Sequence, residues 1–94
     1  MKKIIGGKRY DTDTADKIAN WDNGLHGQFG YIDETLYRTK KGGWFLVGEG
    51  GDGSPYREGE KLIPYLPEEA RLWLENRGSL ALLETHFADQ IEDA

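Results

Sequence analysis

The chain has no cysteine, two histidines, two serines and three prolines, and no apolar run near the length of a membrane span. Each shortage removes a class of chemistry. Without cysteine there is no disulfide framework and no thiolate metal site, which fits a reducing compartment. His26 and His86 lie sixty positions apart with no HExxH or HxxxH spacing, so a zinc site has no support. Ser54 and Ser79 stand outside any GxSxG setting, and no nucleophile–base–orienter set is visible. The expectation is therefore a non-enzyme with no cofactor and no metal. The opening MKKIIGGKRY offers only the Ile4-Ile5 pair as an apolar core. That is too short for a signal-peptide core, so the protein is expected to stay in the cytoplasm, away from membranes.

Aromatic residues and carboxylates are what the sequence has in quantity. Three Trp, five Tyr and three Phe in 94 residues can fill one small core, so residues 1–94 are read as a single domain. Net charge is −5, unevenly placed: residues 1–47 sum to +2 and residues 48–94 to −7. Overall acidity weighs against a general nucleic-acid binder and suits a carboxylate surface facing a basic partner.

Read in order, Ile4-Ile5 with Gly6-Gly7 suggests a short strand or a two-stranded start. The Asp11–Thr14 cluster of capping residues precedes Ala15, Ile18, Ala19 and Trp21, which predicts an N-terminal helix stopped at Asp22-Asn23-Gly24. From Tyr31 the period changes to two, Lys40–Gly43 reads as a turn, and Trp44–Val47 is apolar on both faces. This hairpin, about 31–47, is expected at the centre of the sheet. Lys61–Ile63 is a candidate third strand, with Pro64 ending it or placing it at an edge. Pro67 opens a helix carrying Ala70, Trp73 and Leu74; Gly78 is a candidate stop, and Ser79 starts a last helix with Leu80, Leu83, Phe87 and Ile91 in one stripe. The predicted fold is α+β: a small antiparallel sheet on a central hairpin, with one N-terminal and two C-terminal helices packed on it.

Three features compete to carry function. Gly48–Gly53, GEGGDG, resembles a phosphate loop only in composition. No Gly-Lys-Ser/Thr follows, Glu49 and Asp52 repel phosphate, and a flexible connector needing positive φ is the simpler reading. Arg38, Lys40 and Lys41, with Tyr37 and Trp44, make a basic aromatic hairpin tip suited to nucleic acid, although the acidic remainder opposes that use. Glu58, Glu60, Glu68, Glu69, Glu75 and Glu84 form the other candidate, an acidic face for partner binding; a merely solubilising surface would show the same residues.

The stretches KRYDTDTADKIANW, ETLYRTKKGGWFLVGEGG and IPYLPEEARLWLE together resemble a family of short proteins encoded by bacteriophages and integrated mobile elements. The resemblance covers roughly residues 3–77 and contains no catalytic motif. It implies a role in conflict between a mobile element and its host, of which anti-CRISPR inhibition is the best-known form for proteins this small. Such inhibitors occupy a surface of a defence protein or ribonucleoprotein complex, often with acidic residues. The expectation is thus a stoichiometric inhibitor acting through the acidic surface; the alternative is a phage accessory protein touching nucleic acid through the hairpin tip.

Overall fold

The computed structural model describes residues 1–77 and 79–94. A two-stranded ribbon, a four-stranded meander and a helical pair make up the described chain. Strands β1 (Lys2–Ile5) and β2 (Lys8–Asp11) form a separate two-stranded ribbon. Strands β3 (Asp16–Asn23), β4 (Ile32–Arg38), β5 (Trp44–Gly50) and β6 (Lys61–Tyr65) form an antiparallel meander in that spatial order. Helices α1 (Pro67–Asn76) and α2 (Leu80–Phe87) follow, and a 3₁₀ turn at Ala88–Gln90 ends the ordered elements. The fold is α+β, and none of the described helices is long and apolar enough to cross a membrane.

The predicted N-terminal helix is not formed; Asp16–Asn23 is the edge strand β3, paired along its length with β4. The neighbouring apolar residues Ile18 and Ala19 imitate a helical face, but a bulge between Lys17 and Ala19 reconciles them with a strand. Past the bulge, Ala19 and Trp21 fall on one face with period two. An eight-residue helix is marginal alone, whereas the open edge of β4 offers a full ladder of backbone hydrogen bonds. The Asp11 cluster closes a turn: its carboxylate accepts from the Asp13 N–H at 2.9 Å, and its carbonyl accepts from the Ala15 N–H at 3.1 Å.

Strand alternation sorts the side chains of β5 into two layers. Trp44 and Leu46 point to the helices and join Leu36, Ala70, Trp73, Leu74 and Phe87 in the main core. The Trp44 and Phe87 rings stack with centroids 5.3 Å apart. Phe45 faces the other way, fully buried, stacked on Tyr37 and met edge-on by Tyr10 of β2. That contact seats the β1–β2 ribbon on the sheet's second face. Burying a large aromatic or Leu side chain is worth about 1.5–3 kcal/mol, so these few residues supply much of the stability of so small a domain.

Pro67 takes the first position of α1, and the Glu69 carboxylate accepts from the Leu66 N–H at 2.8 Å, one half of a capping box. Ser79 occupies the N-cap position of α2 without a side-chain cap bond. The predicted stop at Gly78 lies outside the described residues. Leu80 and Ile91, expected in the buried stripe, are exposed; only Phe87 of that stripe is fully buried.

Candidate functional site

The two ends of the meander carry opposite charge, joined by a polar hub in the middle. The hub is Glu34 on β4. Its Oε1 accepts from Trp73 Nε1 at 2.9 Å and from an Arg77 guanidinium nitrogen at 3.0 Å, and its Oε2 from the Tyr56 hydroxyl at 2.5 Å. Arg77 lies flat over Trp21, 3.6 Å from its centroid. Burial opposes the Glu34 charge, but the hydrogen bonds from Tyr56, Trp73 and Arg77 and the Arg77 charge outweigh it and hold the carboxyl below its ordinary range. Tyr56 is pushed upward by burial and by its bond to Glu34. The hub ties β3, β4, α1 and the 51–60 loop together.

Gly48 makes the hub possible, because a Cβ there would overlap the Tyr56 ring. Gly51 is needed for a similar reason: its space is filled by the carbonyls of Gln28 and Phe29. The Gly51 N–H donates to the Tyr31 carbonyl and the Gly53 N–H to the Phe29 carbonyl, both at 2.8 Å. GEGGDG is therefore an interlock between two loops. Its glycines serve close approach, since Gly48, Gly50, Gly51 and Gly53 all lie outside the positive-φ region, which corrects the flexible-connector reading.

At the end of the sheet built by this interlock, three carboxylates stand in register across three strands. Asp22 of β3 opposes Asp33 of β4, and Asp33 opposes Glu49 of β5. Like charges directly opposite one another destabilise a sheet. Asp33 accepts from Asn20 Nδ2 at 2.8 Å, and the Tyr31 hydroxyl lies 3.4 Å from both Asp33 and Glu49. One hydroxyl proton cannot serve both. None of the three carboxylates has an ion-pair partner among the described residues. A cleft of about 340 Å³ opens beside the row, lined by Phe29, Tyr31, Glu49, Asp52, Arg57 and Glu60 among others. Phe29 and Leu25 stand 74 % and 71 % exposed in the adjoining loop. No group of three His, Asp or Glu side chains among the described residues converges tightly enough to hold a metal ion.

The acidic residues expected from the sequence are distributed differently. Glu60 borders this cleft, and Glu58 is exposed nearby in sequence. Glu68, Glu69 and Glu75 are exposed on α1, and Glu84 on α2. Glu69 is occupied as a cap, and Glu75 pairs with Arg71 at 2.6 Å. Asp22 and Asp33 were not legible as site residues, because their alignment exists only if 16–23 is a strand.

The opposite end is basic. The tip of the β4–β5 hairpin and the β1–β2 ribbon flank a cleft of about 710 Å³ whose charged lining is Lys8, Arg9, Lys40 and Lys41, with no carboxylate. Lys40 is paired with Asp16 at 2.7 Å. Arg38 is absent from this lining: it turns to the helical side, 3.2 Å from His86 Nδ1, with its guanidinium 5.0 Å from the Trp44 ring centroid. Burial, then the Arg38 charge, lowers the His86 pKa. The predicted tip of Arg38, Lys40 and Lys41 is thus divided between two faces, and Lys8 and Arg9 complete the basic side. No family model, curated protein or solved structure matches the chain.

Proposed function

We propose that this chain is a stoichiometric inhibitor of a host defence complex, acting in the bacterial cytoplasm by presenting the Asp22–Asp33–Glu49 end of its sheet to a basic surface. The observation that carries this reading is the carboxylate row, a like-charge alignment that costs stability and forms no ion pair among the described residues. A sequence selected only for folding would offset or separate these charges. Phe29 and Leu25 supply exposed apolar anchors beside the row, as protein interfaces require. The resemblance to mobile-element proteins supplies the biological setting. Glu69 and Glu75 are not part of the proposed surface, because both already have internal partners.

The test is plasmid interference in cells carrying a functional CRISPR system, with and without this chain expressed. Inhibition by the wild type should be lost in the triple variant Asp22→Asn, Asp33→Asn, Glu49→Gln, whose circular dichroism should match the wild type. Full inhibition by the folded triple variant would remove the acidic end from the mechanism. Undiminished interference in the presence of the wild type, across the effector classes assayed, would overturn inhibition of CRISPR defence itself.

A further inference from the structure

We infer that the cleft between the β1–β2 ribbon and the β4–β5 tip is a binding site for the phosphate backbone of nucleic acid. The site is distinct from the acidic end and does not depend on the function proposed for it. Residues 1–10 and 38–44 hold seven of the twelve Lys and Arg side chains and no carboxylate. The fold brings these two stretches together: Tyr10 packs edge-on against Phe45 at 5.6 Å, fixing the ribbon beside the tip. Lys8 and Arg9 then face the same cleft as Lys40 and Lys41.

Net acidity does not cancel this patch. Strand β5 runs from Trp44 at the basic end to Glu49-Gly50 at the acidic end. At about 3.3 Å per residue the two ends are separated by about 20 Å. The Debye length is about 10 Å at 0.1 M salt, so each end acts on its own partner. The charged side chains lining the basic cleft are all cations, with Asp16 on Lys40 and Glu68 and Glu69 beyond Pro67 as the neighbouring carboxylates.

The nature of the cleft selects backbone contact over base reading. Trp44, the largest ring in the lining, is only 3 % exposed and is stacked on Phe87. Tyr10 is engaged with Phe45. Trp44 and Tyr10 are thus occupied and the third ring of the lining, Tyr65, is half-buried, so contact falls chiefly to the long cations, which meet phosphates without sequence preference. Three of the four are available, Lys8, Arg9 and Lys41; Lys40 is held by Asp16.

That count gives a quantitative test. Fluorescence polarisation is measured with a labelled 20-mer of mixed sequence, single-stranded in one arm and duplexed in the other, between 50 and 200 mM salt. Three phosphate contacts predict a slope of log K against log salt of about −2.7 for duplex and about −2.1 for the single strand. For duplex this is a loss of about 40-fold in affinity across the range. Arg9→Ala with Lys41→Ala should reduce the duplex slope to about −0.9. Arg57→Ala, a cation outside the cleft, should leave it unchanged. Asp16→Asn should steepen it by about 0.9, because it releases Lys40 as a fourth contact. Absence of binding to either probe at 50 mM salt would overturn the inference. So would binding whose slope is the same in wild type and in the folded Arg9→Ala, Lys41→Ala variant.

Discussion

The two ends of the meander are built from similar parts, a turn on one hairpin against a loop from another, yet they bear opposite charge and differ in how that charge is tied. At the basic end one of the four cleft cations has an ion-pair partner, Lys40 with Asp16, and the others project into open space from two hairpins. At the acidic end the carboxylates are packed in register on the sheet itself, and a single tyrosine hydroxyl stands between two of them. The basic end could lose its charges without touching the ladder. The acidic end carries its repulsion inside the sheet. Only there does the charge pattern conflict with the fold.

Both ends depend on the hub, so removing it should erase the comparison. Glu34→Ala leaves Arg77 half-buried without its carboxylate and should cost about 3–5 kcal/mol in urea unfolding at pH 7, a large part of a small domain's stability. The same residue sets a pH dependence. Its folded pKa lies below the unfolded value of about 4.3, so its contribution is complete above that value and is lost as pH falls through the folded pKa. Urea midpoints should therefore fall below about pH 4 in the wild type, and less steeply in Glu34→Gln. An equal pH slope in the two proteins would remove Glu34 from the acid response.

Gly48→Ala forces a methyl into the Tyr56 ring and should cost about 1–3 kcal/mol by overpacking. Gly48→Ala combined with Tyr56→Phe should be at least as destabilised as Gly48→Ala alone, since the ring still blocks the methyl and the bond to Glu34 is lost. A neutral Gly48→Ala would show that Tyr56 can leave the hub. The smallest effect has the opposite sign. Asp22→Lys turns a repulsive cross-strand pair into an attractive one, and should raise stability by about 0.2–1 kcal/mol while weakening the inhibition proposed above. A loss of stability in that variant would show that the row is tolerated without strain.

Much of the fold was legible where one physical cue dominated. Trp44–Val47, apolar on both faces, had to be an interior strand, and it lies in β5 between β4 and β6. Pro67 with Glu68 and Glu69 marked the start of α1. Residues 16–23 were misread because Ile18, Ala19 and Trp21 satisfy helical spacing as well as a bulged strand, and the free edge of β4 decided between them. The site suffered more from that error than the fold did. With 16–23 taken as helix, Asp22 could not be placed opposite Asp33, and the carboxylates on α1 and α2 stood out by number instead. The tip was seen, but Arg38 and Lys41 are three residues apart on a bending chain, and nothing local says that one turns to His86 and the other to the cleft.

By itself the sequence determined the composition of each end: which stretches lack carboxylates, where aromatic rings are available, and that there is no cysteine. Those are properties of residues taken singly or with near neighbours. Tertiary structure alone decided what meets what, because strand register, the seating of the β1–β2 ribbon on Phe45, and the use of Glu34 as a hub depend on pairings between positions far apart in the chain. Charge lies in the sequence; the alignment that turns it into two opposed surfaces is a product of long-range packing.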